Sequence, residues 1–284
     1  ESARLIKPFK KDLAMLGLGG SIGTPKQGIR AEVLVVDSFA ELEIVKNKVK
    51  GNIVLFNAPF TSYGETVQYR YKGASEAAKY GAVASLIRSV GSASLYTPHT
   101  GVMAYVEGIP RIPHAALTIE DAIMLSRQQK SGEKIVIQLK MDARMEPDRW
   151  SRNIVADLKG SENPDEIVVL GGHIDSWDVG QGAHDDGGGC VAAWYAVKLI
   201  HDLGLRPKRT LRVVMWTNEE NGGKGNKAYR DAHYDELDKH IIAIESDGGV
   251  FKPSGFGFTG SQAAKEIVDA ISDLLISIKA NQIT

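Results

Sequence analysis

Four short stretches carry the residues that could do chemistry. Leu170 is followed by Gly171-Gly172-His173-Ile174-Asp175, and Trp216 by Thr217-Asn218-Glu219-Glu220. Ile244 is followed by Glu245-Ser246-Asp247, and a glycine-rich stretch from Gly180 to Gly189 holds His184-Asp185-Asp186. Unpaired carboxylates crowded together repel one another, and at least one must stay protonated. A divalent cation removes that penalty. Zinc accepts imidazole nitrogen and carboxylate oxygen in one site, and two zinc ions about 3.5–4 Å apart under a bridging carboxylate form a hydrolytic centre. In His173-x-Asp175 one ring nitrogen can bind metal while a carboxylate orients the other. Glu219-Glu220 can divide its work, one carboxylate on the metal and its neighbour taking a proton from water. Taken singly these are ordinary features: a His-x-Asp is commonly no site, a Glu-Glu pair often opens a solvated helix, and Asp-Asp-Gly often makes a turn. Their joint occurrence, each next to a β-branched run, points to the metal site.

That convergence requires strands whose ends lie together. Asn153 onward alternates strand and helix: Ile154–Ala156, Ile167–Leu170, Leu211–Trp216 and Ile241–Ile244 read as strands. Helices are expected over Gly188–Leu203, Gly223–His233 and Ala263–Ile276, the first burying a stripe of Val191, Ala192, Tyr195, Ala196, Leu199, Ile200 and Leu203. Alternation of this kind predicts an α/β fold with a mostly parallel, mixed sheet flanked by helices. Ligands in such folds bind beyond the carboxyl ends of the strands. The earlier part of the chain is richer in strand. Val33–Val36, Ile53–Phe56, Ala82–Ile87 and Ile135–Leu139 read as strands, and Gly73–Tyr80 and Ile119–Gln129 as helices, the second capped by Thr118. Tyr96–Pro113 reads as a long loop.

Composition removes several function classes. The 284 residues predict about two domains. Lys and Arg total 34 against 35 Asp and Glu, a net charge of -1, which makes no case for nucleic-acid binding. No apolar run approaches the roughly 20 residues that span a bilayer. A single cysteine, Cys190, excludes an internal disulfide and reads as a buried structural thiol. Gly17–Gly23 lacks the third glycine of a dinucleotide loop, no Gly-x-Ser-x-Gly elbow occurs, and no Asn-x-Ser/Thr sequon is present. His99 and His114 read as surface or loop histidines. No signal peptide is visible at Glu1-Ser2-Ala3-Arg4.

The stretch Gly172–Ala183, with Glu245-Ser246-Asp247 and Leu203–Leu211, resembles the co-catalytic zinc peptidases that include bacterial leucyl aminopeptidases and glutamate carboxypeptidase. The resemblance runs from the first residues to about Ser272. It implies that His173 and Asp247 bind the first zinc, that Asp185 bridges two zinc ions, and that Glu220 binds the second. Glu219 would be the general base and Asp175 the partner of His173. Gly108–Ala122 resembles a protease-associated domain, so the resemblance divides the chain into 1–30 and 146–284 as peptidase portions around an inserted, β-rich domain at 31–145. It implies a metallo-exopeptidase acting on dipeptides or short peptides, secreted or lysosomal, and homodimeric. His184 stands where relatives commonly carry Met or Asp and reads as a neutral variation. The family closes its second zinc site with a later histidine, whereas no histidine follows His240 here, so the chain reads as truncated at both ends. Two alternatives follow: a catalytically silent relative that only binds substrate or partners, and a hydrolase of non-peptide amides.

Overall fold

The computed structural model describes residues 1–177 and 179–284; Asp178, within the motif at 172–183, lies outside the described residues. The chain divides into two compact units. The first contains Glu1–Ser151, residues 177 and 179, and Glu219–Lys224; the second contains Arg152–Ser176, Gly180–Asn218 and Gly225–Thr284.

In the first unit the strands are β1 (Ser2–Lys7), β2 (Lys11–Leu13), β3 (Met15–Gly17), β4 (Ile29–Val36), β5 (Ile53–Phe56), β6 (Ala84–Arg88), β7 (His114–Leu117) and β8 (Val136–Lys140). They form one mixed sheet in the order β2-β1-β8-β4-β5-β6-β7-β3. The strands β4 to β7 are parallel neighbours, and β8 and β3 flank them antiparallel. Strands buried on both faces read as continuous apolar runs, which is why Ile53-Val54-Leu55-Phe56 is legible as a strand. Helix α1 (Phe39–Ile44) and α2 (Tyr63–Ala78) supply Leu42, Ala74 and Ala77 to one face, with Val54, Phe56 and Ile87. Helix α3 (Ile119–Lys130) supplies Ala122 and Leu125 to the other, with Val33, Leu55 and Leu86. The strands within residues 1–30 hydrogen-bond into this sheet.

Helix α2 and His114 differ from expectation. Helix α2 starts ten residues before Gly73, at a cap where the Ser62 hydroxyl accepts the Glu65 N–H. Its first turns are polar and half-exposed, so no apolar stripe announces them. His114 is neither loop nor surface: it opens β7 and is fully buried, with Nε2–H donating to the Arg70 carbonyl at 3.1 Å.

The second unit holds β9 (Ile154–Leu158), β10 (Asn163–His173), β11 (Arg209–Trp216) and β12 (His240–Glu245) in the order β12-β10-β11-β9. The first three in that order are parallel and β9 runs antiparallel at the edge. A small pair, β13 (Gly255–Phe256) and β14 (Gln282–Ile283), stands apart from the sheet. Helix α4 (Gly188–Asp202) packs on one face through Ala193 and Val197 against Val213, Leu170 and Leu211. Helix α5 (Lys224–Ala232) places Tyr229 on the other, with Ile167, Val169 and Val214. Helix α6 (Gln262–Ser272) ends earlier than expected and continues as a 3-10 turn over Asp273–Ile278.

The predicted buried stripe of α4 is corrected by the structure. Val191, Tyr195, Leu199 and Leu203 are exposed, and the packed side runs through Cys190, Ala193 and Val197. A helix that is apolar nearly all round gives periodicity no face to select. Small residues at the contact decide it instead, because they let the helix approach the sheet closely.

Candidate metal centre

Strand β10 lies between β11 and β12, so its carboxyl end has a parallel neighbour on each side. His173 is in register with Trp216, and Gly171 with Glu245. The Ser246 N–H donates to the Gly171 carbonyl at 3.0 Å, which carries the chain past β12 directly to Asp247. The turn at Ala183–Gly187, leading into α4, delivers Asp185.

His173 is 1 % exposed. Its Nδ1–H donates to the backbone carbonyl of Asp175 at 2.9 Å, while the nearer Asp175 carboxylate oxygen is 3.8 Å away. That bond keeps a proton on Nδ1 and leaves Nε2 as the ring atom that can take a metal. Nε2 stands 2.9 Å from Asp185 Oδ1 and 3.3 Å from Asp247 Oδ1. A lone pair and two carboxylate oxygens at such distances repel unless a cation lies among them, either a proton or a metal ion. Donor atoms of His173, Asp185 and Asp247 all lie within 4.8 Å of one another. Around a tetrahedral zinc with bonds of about 2.0–2.1 Å, neighbouring donors stand about 3.3 Å apart. The donor types and spacing therefore fit zinc.

The electrostatics agree. Burial pushes the Asp247 carboxyl above its ordinary value; His173 opposes that, and the Asp185 charge adds to it. Burial also raises Asp186, opposed by the His173 backbone N–H. The Cys190 thiol is pushed up to about 11 by burial and by the nearby carboxylates, so it is no nucleophile at neutral pH. His184 turns its ring edge-to-face onto Phe251, with centroids 4.9 Å apart.

The structure thus brings His173, Asp185 and Asp247 together and places the Asp175 carbonyl on the ring of His173. Glu219 and Glu220 follow β11 by three and four residues and belong to the first unit. There the Glu219 carbonyl accepts the N–H groups of Gly222 and Gly223. Asp186 is the residue that sequence reasoning missed. It reads as part of a turn, yet it is 1 % exposed and accepts two backbone N–H groups.

Residues 153–283 match the model of peptidase family M28. The chain as a whole is 56 % identical over 275 residues to carboxypeptidase Q of Xenopus laevis, covering 97 % of this chain and 59 % of that protein. It therefore spans about three-fifths of the length of that relative. The crystal structure of a peptidase M28 precursor from Shewanella amazonensis superposes with a TM-score of 0.89 at 36 % identity, covering 97 % of this chain and 64 % of the other. A zinc aminopeptidase from Bacillus subtilis shares the fold, with a TM-score of 0.66 at 22 % identity over 96 % of this chain and 64 % of the other.

Proposed function

We propose that the protein is a zinc-dependent exopeptidase that hydrolyses dipeptides or short peptides. The observation that carries this reading is the triangle of one imidazole nitrogen and two carboxylate oxygens at His173, Asp185 and Asp247. The similarity to carboxypeptidase Q and to M28 peptidases supports peptide substrates. His173 and Asp247 would hold the first zinc ion, Asp185 would serve both ions, and Glu220 would contribute to the second site. Zinc, when bound, polarises the peptide carbonyl and makes water acidic enough to lose a proton near neutral pH. The Asp175 carbonyl holds the His173 ring in the tautomer that leaves Nε2 open. Glu219 takes the proton from the attacking water on its carboxylate and returns it to the nitrogen of the leaving amine, so one group serves as base and then as acid.

The same resemblance supports three further proposals. Residues 31–145 form an inserted protease-associated-like domain, the protein is secreted or lysosomal, and it acts as a homodimer. Among the described residues no helix is long and apolar enough to cross a membrane.

The test is Glu219→Gln. The variant is expected to bind as much zinc as the wild type while its kcat on a dipeptide panel falls by at least about 10²-fold, the range of general-base catalysis. Undiminished turnover contradicts the assignment of Glu219. Turnover of acylated amines in place of dipeptides by the wild type contradicts the assignment of substrate.

A further inference from the structure

We propose that Asp186 is the positioning residue that builds the His173–Asp185–Asp247 triangle before any metal arrives. This role rests on the zinc-site reading above. The Asp186 carboxylate accepts the His173 N–H on Oδ2 at 2.9 Å and the Gly189 N–H on Oδ1 at 3.1 Å. It thereby ties the last residue of β10 to the first turn of α4. The Cys190 thiol donates to the His173 carbonyl at 3.2 Å, so both backbone groups of His173 are held by this junction. The third strand arrives at the same point. A side chain on Gly189 would run into the Ser246 carbonyl oxygen and the Asp186 carboxylate, and one on Gly172 into Asp186 and the Cys190 N–H. Both glycines are required by this close approach of backbone to carboxylate.

His173, Asp185 and Asp247 each lie within one residue of the junction. His173 donates to it, Asp185 precedes Asp186, and Asp247 follows Ser246. Asp186 sits beneath the ligands with its oxygens turned to backbone N–H groups. It aligns the carboxyl end of β10, the start of α4 and the exit from β12 without touching substrate. Groups of this kind, one shell behind the ligands, change metal affinity about 10–100-fold when altered.

The test pairs Asp186→Asn with the wild type. Zinc is titrated into each metal-free protein against a competing chelator, with the folded fraction followed by circular dichroism. The amide of Asn keeps one acceptor but faces the other N–H with its own NH2 group. The expected result is a zinc dissociation constant about 10-fold or more above that of the wild type in protein that remains folded. A merely structural role would lower the unfolding midpoint and leave that constant within twofold of the wild type, which overturns the proposal. Hydrogen exchange on the wild type decides the matter if the variant does not fold. The His173 and Gly189 amides are expected to be as protected as neighbouring β10 amides without zinc; fast exchange that slows only when zinc is added overturns the proposal. Wild-type protein that takes up no zinc would defeat the zinc-site reading instead, and the exchange measurement still tests the junction.

Discussion

At the scale of single residues, the ligand candidates were legible because chain chemistry and strand chemistry coincide. His173 and Asp247 stand at or just past the carboxyl ends of apolar strands, and parallel strands put those ends side by side. Asp186 was not legible, since a carboxylate that bonds only to backbone N–H groups leaves no partner to find in the sequence. Nor was the burial of His114. Flanked by Pro113 and two alanines, it carries no periodic signal, yet β7 lies inside the sheet. Burial depresses that imidazole to about 4, with the Arg70 carbonyl only partly offsetting the loss of water. The sign follows from linkage. Below about pH 4 both folded and unfolded chains carry the proton, and above about 6.5 neither does. Between them only the unfolded chain binds it, so stability falls as pH falls through that window. The effect is on the order of 3 kcal/mol. Urea unfolding of the wild type and His114→Gln at pH 7 and pH 4.5 checks it: the wild type is expected to lose more stability than the variant by about that amount. Equal losses would mean that His114 already takes up its proton in the folded chain.

At the scale of elements, strand positions were easier to read than helix faces. The run 53–56 is a strand buried throughout, whereas α4, apolar nearly all round, offered several faces of similar quality. The attachment of α5 was likewise hidden, because it depends on polar groups far apart in sequence. Arg212 on β11 makes a bidentate bond with Asp157 on β9, at 2.7 and 2.9 Å. It also donates to the Tyr229 hydroxyl at 3.0 Å. That hydroxyl lies 3.0 Å from His240 Nε2, and the His240 ring donates from Nδ1 to the Glu236 carbonyl at 3.0 Å. One hydroxyl thus links α5 to two strands, accepting from Arg212 and donating to His240. Tyr229→Phe leaves both neighbours short of a partner while keeping the ring that packs on Trp216. The expected loss is about 1–2 kcal/mol, read from the urea midpoint. An unchanged midpoint would show that water serves those groups equally well.

At the scale of the whole molecule, the mixed α/β architecture was legible from the alternation of strands and helices. The division of the chain was less so. The strands at 2–17 are short and carry little apolar pattern, so nothing local assigns them to the sheet of the first unit. In the second unit three separated segments converge at one imidazole, that of His173. X-ray absorption at the zinc edge, on zinc-loaded protein, measures that convergence most directly. Nitrogen and oxygen donors are expected at about 2.0–2.1 Å with the scattering signature of one imidazole, lost in His173→Ala. A sulfur shell near about 2.3 Å, or an imidazole signal that survives His173→Ala, would contradict it.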